Sequence, residues 1–408
     1  MSLKAYNPVW AQREATRAAA ARWQKRGLLS APQLAAILAA HPLDYYRPPL
    51  FIRIILFLFT SLGALTLSGL FMLLVVLGQH ESAADSEMVS VIIVGSLSAG
   101  AGFFVLEASI NGSRLYRSGI DNALLYVSLG WLGFLVFHLT SAALPPDYPG
   151  LLWETPGLYL TTALLLVLAL LVAAAVRYAD QLVAAAAYAT GLLALASLLL
   201  QLSAGRLLLP FALMLAAAAT YFVLEKLARR PDYLYYKACL TLLKVLTLAT
   251  FYLGGNYLVV REGNAALSGL TESVQIRLAG LFVFFTAVLP VLYLVVGLRR
   301  PDRLWLLAGL LIVVFSGGTL LTYYPALPAE LAATLAGAVL IGAMLFVTRY
   351  LRTPRHGLTA AAEQAEDDQK LNLESLIVAQ TATVPQPTAA GFEFGGGSSG
   401  GGGADGGY

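Results

Sequence analysis

Charge is the scarcest ingredient of this chain. Only 12% of its 408 residues are Asp, Glu, Lys or Arg, against 58% hydrophobic residues, and the mean hydropathy is +0.73. Soluble domains carry roughly a quarter of their residues charged, so a water-facing globule is excluded. Cysteine is nearly absent. Cys239 stands alone, which rules out an intramolecular disulfide and any site built from several thiolates. Histidine is rare as well, and neither His80 nor His138 has a second His, Cys or carboxylate at ligand spacing, so no metal is expected. The chain also lacks a Gly-x-x-x-x-Gly-Lys-Ser/Thr loop that would cradle phosphates, and it has no recognisable nucleophile motif of Ser, His and acid. No cofactor is expected, and the balance leans away from an enzyme. The small net charge of +3 points to no nucleic-acid partner. The first fifty residues are charged and lack the early apolar run of a cleavable signal peptide.

What is abundant is Leu, Ala and Val, in runs of about 20 residues, the length that crosses a hydrocarbon core as helix. Outer-membrane barrels are excluded, because their strands read as short alternating segments. The expected fold class is therefore all-α: a polytopic transmembrane bundle of about ten spanning helices. They fall at about 51–78, 88–109, 119–143, 157–177, 181–202, 206–226, 236–260, 275–298, 302–323 and 329–350. Segments four to six are joined by such short links that they must be antiparallel neighbours. Their Ala/Leu uniformity leaves nine or eleven spans open. With the N-terminus in the cytoplasm, nearly all basic residues fall on the inner side. Only Arg206, Arg261 and Arg277 fall outside, and Lys237 and Lys244 lie within segment seven. Both termini are then cytoplasmic, in a bacterial inner membrane. No internal repeat of the inverted transporter kind is visible.

Three regions follow: an interfacial helical hairpin at 1–48, the bundle at 49–352 and a tail at 353–408. In the first, Asn7 and Pro8 read as N-cap and first helical residue, and Gly27 fits the position that ends the helix near Lys25. Ser30 and Gln33 form a capping box that opens a second helix from Ala31 to about Ala40, with Trp23 and Leu29 packed between the arms. Tyr45, Tyr46, Arg47 and the following prolines suit a membrane interface. The tail holds an acidic group (Glu363, Glu366, Asp367, Asp368), then a Gly-rich end closing on Tyr408, which cannot bury a core and is expected to be disordered.

Trp23, Gly27, Leu28, Leu29, Ser30, Gln33 and Ile37 carry a resemblance. This W-x-x-x-G-[LI]-[IL]-S-x-x-Q-x-x-x-I pattern is similar to the start of a family of bacterial multi-pass membrane proteins of uncharacterised activity. In that family a short helical domain precedes many spanning helices. The likeness covers about 25 residues and implies an architecture, not a reaction.

Polar density is concentrated between segments two and three, where Glu107, Asn111, Arg114, Arg117, Asp121 and Asn122 lie close together. One reading makes this a gate or ligand contact, since arginine forks hold carboxylates and phosphates. The plainer one makes it a satisfied cytoplasmic turn, with Glu107 and Asp121 paired to the two arginines and the bend at Asn111 and Gly112. The plainer reading is favoured, because the charges sit at the interface. Gly95 to Gly102 form a small-residue stretch suited to close helix packing. In segment seven, Lys237 and Lys244 share a face with no carboxylate evident at the same depth, and snorkelling of Lys244 is favoured. Gly254, Gly255 and Asn256 form a helix-break signal of the kind seen in discontinuous transporter helices, which would expose backbone carbonyls to a cavity. Trp131, Trp153 and Trp305 read as interface anchors. The leading expectation is a non-enzymatic transporter-like or scaffold component in contact with the lipid bilayer, its small-molecule substrate unassigned. The alternatives are an enzyme acting on a lipid-linked substrate at the cytoplasmic interface, and a sensor or assembly factor whose termini hold a cytoplasmic protein.

Overall fold

The computed structural model describes residues 4–78, 84–145, 157–300 and 303–323, together with isolated helical positions between 334 and 349. Among these residues the chain is all-α, with twelve helices and a single β-bridge, between Tyr46 and Leu115. The first two helices begin where their caps dictate. α1 (Pro8–Lys25) opens on Asn7, whose side chain accepts from the Val9 N–H, and α2 (Ala31–Ala40) opens on the reciprocal Ser30–Gln33 box. Between them Gly27 takes a left-handed φ of +74°. Trp23 and Leu29 are only half-buried. The arms are joined instead by Arg17, which donates to the carbonyls of Leu38 and His41 at the end of α2, and by Arg13, which reaches Pro42 and Asp44.

The long helices follow: α3 (Leu50–Gly78), α4 (Ala84–Ser113), α5 (Ile120–Ala142), α6 (Leu158–Tyr178), α7 (Gln181–Leu200), α8 (Gly205–Leu227), α9 (Tyr233–Gly255), α11 (Ala279–Arg299) and α12 (Arg303–Tyr323). These nine are each long and apolar enough to cross a membrane. Of the tenth expected segment, 329–350, only isolated helical positions are described, and the tail lies outside the described residues. Segment seven is not one rod of 236–260. It stops at Gly255, and a separate helix, α10 (Tyr257–Leu267), restarts from Asn256.

The bundle's surface is oily. Phe51, Phe59, Phe104, Leu215 and Leu311 are each at least 72% exposed, and α3 buries only Ser68. Water does not tolerate so large an apolar surface, whereas lipid tails do. This is a multi-pass membrane protein.

Sequential helices pair as hairpins (α4 with α5, α6 with α7, α8 with α9, α11 with α12), and α9 runs through the middle, touching α1, α7, α8, α10, α11 and α12. The small residues of α4 serve its packing on α5: a Cβ at Gly95 would meet Leu135 at 2.7 Å, and one at Gly102 would meet the Ser128 hydroxyl at 2.1 Å. Trp131 stands in the middle of α5, not at an end, because its indole N–H finds an acceptor inside the bundle, Ser68 Oγ at 3.0 Å. Trp305 likewise donates to Tyr221, and Trp153 lies outside the described residues.

Candidate functional site

The polar turn between α4 and α5 is built around one carboxylate. α4 continues helical through Asn111, Gly112 and Ser113, so the bend falls later, at 114–119. There Arg114 and Arg117 both take φ +50°, a left-handed conformation that disfavours side-chain-bearing residues, and Gly119 takes φ +99°. Glycine is required at 119 for a second reason: a Cβ would lie 2.3 Å from the Arg53 carbonyl oxygen.

Asp121 holds this bend in place. Its Oδ1 accepts from the Ser118 N–H (2.8 Å), the Ser118 hydroxyl (3.1 Å) and the Gly119 N–H (3.2 Å), and its Oδ2 accepts from the Arg117 N–H at 2.7 Å. The fifth donor comes from outside the bundle, the Tyr6 hydroxyl at 2.6 Å. Asp121 is 1% exposed. Burial, and then the neighbouring carboxylate, push the Tyr6 hydroxyl well above the usual phenol range, so it remains a donor.

The expected pairing of Glu107 and Asp121 with Arg114 and Arg117 is therefore corrected. Arg114 stands 3.8 Å from Asp44. Arg117 donates to the Ala179 carbonyl and lies over the Tyr116 ring. Glu107 instead accepts from Arg177 Nε and Nη2, both at 2.8 Å, and from the Tyr178 hydroxyl at 2.6 Å. Asn122 donates to Asp180, which also accepts from Tyr126 and caps α7 through the Val183 N–H. Asn111 turns back onto the Glu107 carbonyl.

Around this turn the segment before α1 is docked. The Ala5 N–H donates to the Arg177 carbonyl, Lys4 pairs with Asp232 at 3.0 Å, and Tyr235 donates to the same Arg177 carbonyl. Tyr6, Trp10, Tyr45 and Tyr116 meet edge-on or tilted, with centroids 4.9–5.7 Å apart, and Tyr46 exchanges backbone bonds with Arg114 and Tyr116. This docked end of the bundle is closed by interlocking contacts.

In α9, Lys237 is half-buried near the same end. Lys244 has a partner after all: its Nζ lies 2.5 Å from Glu225 Oε1, in the last turn of α8, with only 12% of its side chain exposed. Asn256 is fully buried at the break. Its oxygen accepts from the Val259 N–H, capping α10, while Nδ2 donates to Tyr252 (2.9 Å) and Thr319 (3.1 Å).

The opposite end is hollow. A cavity of about 710 Å³ lies between the start of α8, the end of α9, α10 and the start of α11, within the size range of small-molecule sites. Sequence and packing explain it. Pro210 inside α8 removes the N–H that would serve the Arg206 carbonyl. Gly254 lets α9 press against that point, where a Cβ would sit 2.9 Å from Met214 Cγ and 3.1 Å from the Pro210 carbonyl oxygen. Beyond Gly255 the helix breaks at Asn256, whose backbone is extended, and α10 forms a further wall of the cavity.

No known protein family, no characterised protein and no solved structure matches this chain. Function therefore rests on geometry. Among the described residues no cluster of three or more His, Cys, Asp or Glu could hold a metal ion. The carboxylates of the docked end, Glu107, Asp121 and Asp180, each accept from several donors. The residues that sequence reasoning missed (Tyr6, Arg177, Asp180, Glu225) were hidden by separation: Tyr6 is 115 positions from Asp121, and Arg177 is 70 from Glu107.

Proposed function

We propose that the chain is a non-enzymatic, transporter-like protein of a bacterial inner membrane, with its docked end in the cytoplasm. One observation carries the reading: the bundle is interlocked at one end and hollow at the other, beside a helix broken at a buried asparagine. Discontinuous helices next to cavities are how membrane proteins present polar groups to solutes at depth. The charge pattern supports the orientation. Arg13, Arg17, Arg47, Arg114, Arg229, Arg230 and Arg299 gather at the docked end, whereas the open one has fewer basic residues, Arg206, Arg261 and Arg277, together with Glu262 and Glu272. An enzyme working on a lipid-linked substrate at the cytoplasmic face finds less support, because a general base needs a carboxylate with a free lone pair near substrate. Asp121 and Asp180 are engaged through both oxygens by Tyr6, Asn122, Tyr126 and backbone N–H groups, and Glu107 is held through Oε1 by Arg177 and Tyr178.

The test uses the full-length protein in nanodiscs, screened for ligands that raise its melting temperature, followed by flux of each hit into proteoliposomes. A transporter gives a hit with saturable flux. Binding without flux, or no stabilising ligand across a broad panel, counts against it. Orientation is read separately: Leu207→Cys should react with an impermeant thiol reagent added outside cells, and Arg114→Cys should not.

A further inference from the structure

Resting on that transporter reading, we infer that the cavity at the open end binds an amphipathic anion, with a carboxylate or phosphate head held by Arg206 and Arg277 and an apolar tail laid along Leu253 and Phe282. Both arginines line the cavity, and among the described residues no Asp or Glu lines it. Among the described residues Arg206 touches only a neutral partner, the Ser268 hydroxyl at 3.2 Å. Arg277 has no hydrogen bond or ion pair among the described residues. Two guanidiniums at the mouth of one low-dielectric hollow, with no carboxylate in the lining, create a positive potential that concentrates anions. The fork geometry of arginine suits a carboxylate or phosphate head.

The rest of the lining sets the other half of the ligand. Away from the arginines, Gln275 and Asn264, the walls are mostly Leu, Val, Ile, Pro and Phe side chains, including Leu253 and Phe282. A small inorganic anion would leave that apolar wall wetted, and a neutral alkane would leave both cations unanswered. A molecule with one charged head and several methylenes satisfies both, within a volume of about 710 Å³. The same chemistry comes from a soluble organic acid or ester, or from an anionic lipid entering from the outer leaflet.

The experiment measures calorimetric binding of hexyl phosphate to the intact protein in phosphatidylcholine nanodiscs, with hexanol and inorganic phosphate as half-ligands. Hexyl phosphate should bind, and bind more weakly as ionic strength rises. Arg206→Gln and Arg277→Gln should each weaken it by about tenfold, while melting temperatures stay unchanged. Neither half-ligand should match it. Repeating the titration in nanodiscs containing phosphatidylglycerol separates the sources: competitive loss of binding identifies the lipid as occupant, and unchanged binding identifies a soluble anion. Equal binding of hexanol, or insensitivity to both arginine variants, overturns the anionic head. Equal binding of inorganic phosphate overturns the apolar tail. No binding of hexyl phosphate overturns the inference itself, and the transporter reading then stands or falls on the unbiased ligand panel.

Discussion

The Tyr6 hydroxyl donates to Asp121 at 2.6 Å, joining the segment ahead of the first helix to the turn that opens the third spanning one from Leu50. It is one of five donors on that buried carboxylate, and the other four come from the turn itself. Tyr6→Phe should therefore cost about 1–3 kcal/mol and leave the turn intact. Asp121→Asn, which turns an acceptor-only group into one with an N–H₂ facing those donors, should cost more. Thermal unfolding of the full-length protein in nanodiscs checks the order, and trypsin should cut at Arg13 and Arg17 faster in both variants.

Gly119 and Gly112 lie on either side of the same bend and should respond oppositely to alanine. At 119 a methyl group meets both a φ of +99° and the Arg53 carbonyl oxygen, so Gly119→Ala should destabilise by more than about 1–2 kcal/mol. At 112 the position is helical with nothing within 4 Å, so Gly112→Ala should be neutral or stabilise by up to about 1 kcal/mol. Melting temperatures of the two variants decide the matter.

The Lys244–Glu225 pair is unevenly exposed, 12% against 34% of each side chain. Removing the carboxylate strands the more buried ammonium, whereas removing the ammonium leaves a carboxylate with some access to solvent. Glu225→Gln should cost about 1–3 kcal/mol and Lys244→Met less, with the double variant closer to Lys244→Met than the sum of the two. A double-mutant cycle in thermal unfolding measures this.

Burial, reinforced by Arg13 and Arg17, lowers the pKa of His41 below its ordinary 6.5. The folded hairpin thus favours neutral imidazole. The unfolded chain binds more protons as pH drops, so this contribution is present above the unfolded value and is lost as pH falls through the depressed folded one. Hydrogen exchange across α1 and α2 should speed up between pH about 7 and pH about 5, relative to the change from intrinsic exchange alone. His41→Gln should flatten the difference.

Asn256→Leu removes the cap of α10 and leaves Tyr252 and Thr319 without their amide partner. A loss of about 2–4 kcal/mol is expected, and Asn256→Asp, which keeps the capping acceptor, should lose less. Unfolding measurements on both variants test it.

Much of the architecture was legible in the chain. Eight of the spans expected from apolar runs coincide with helices to within a few residues, the seventh ends early at Gly255, and the caps at Asn7, Ser30 and Gly27 lie where local hydrogen-bond chemistry requires. Such features depend on neighbours in sequence. The partners of the polar residues do not. Glu107 looked suited to Arg114 because they are close in the chain, yet a left-handed backbone at Arg114 turns that side chain toward Asp44, and the end of α6 brings Arg177 to Glu107. Lys244 looked unpartnered because Glu225 belongs to the preceding helix. The helix break was signalled by Gly254, Gly255 and Asn256, but the walls of the cavity beside it were not, because they come from α8, α10 and α11 as well.

The contacts of Tyr6 also set an order of events during synthesis. Its backbone N–H lies within reach of the Tyr235 hydroxyl, 229 positions later, and its neighbour Ala5 binds the Arg177 carbonyl. At roughly 5–20 residues per second a ribosome needs roughly ten to fifty seconds to supply that stretch. The residues ahead of α1 are thus made well before their place is complete, waiting at the membrane surface while six spans are inserted and the next begins. A chain halted before α9 has no complete seat for them, so exposure of Tyr6 and Trp10 to a protease or a chaperone would report an unfinished bundle.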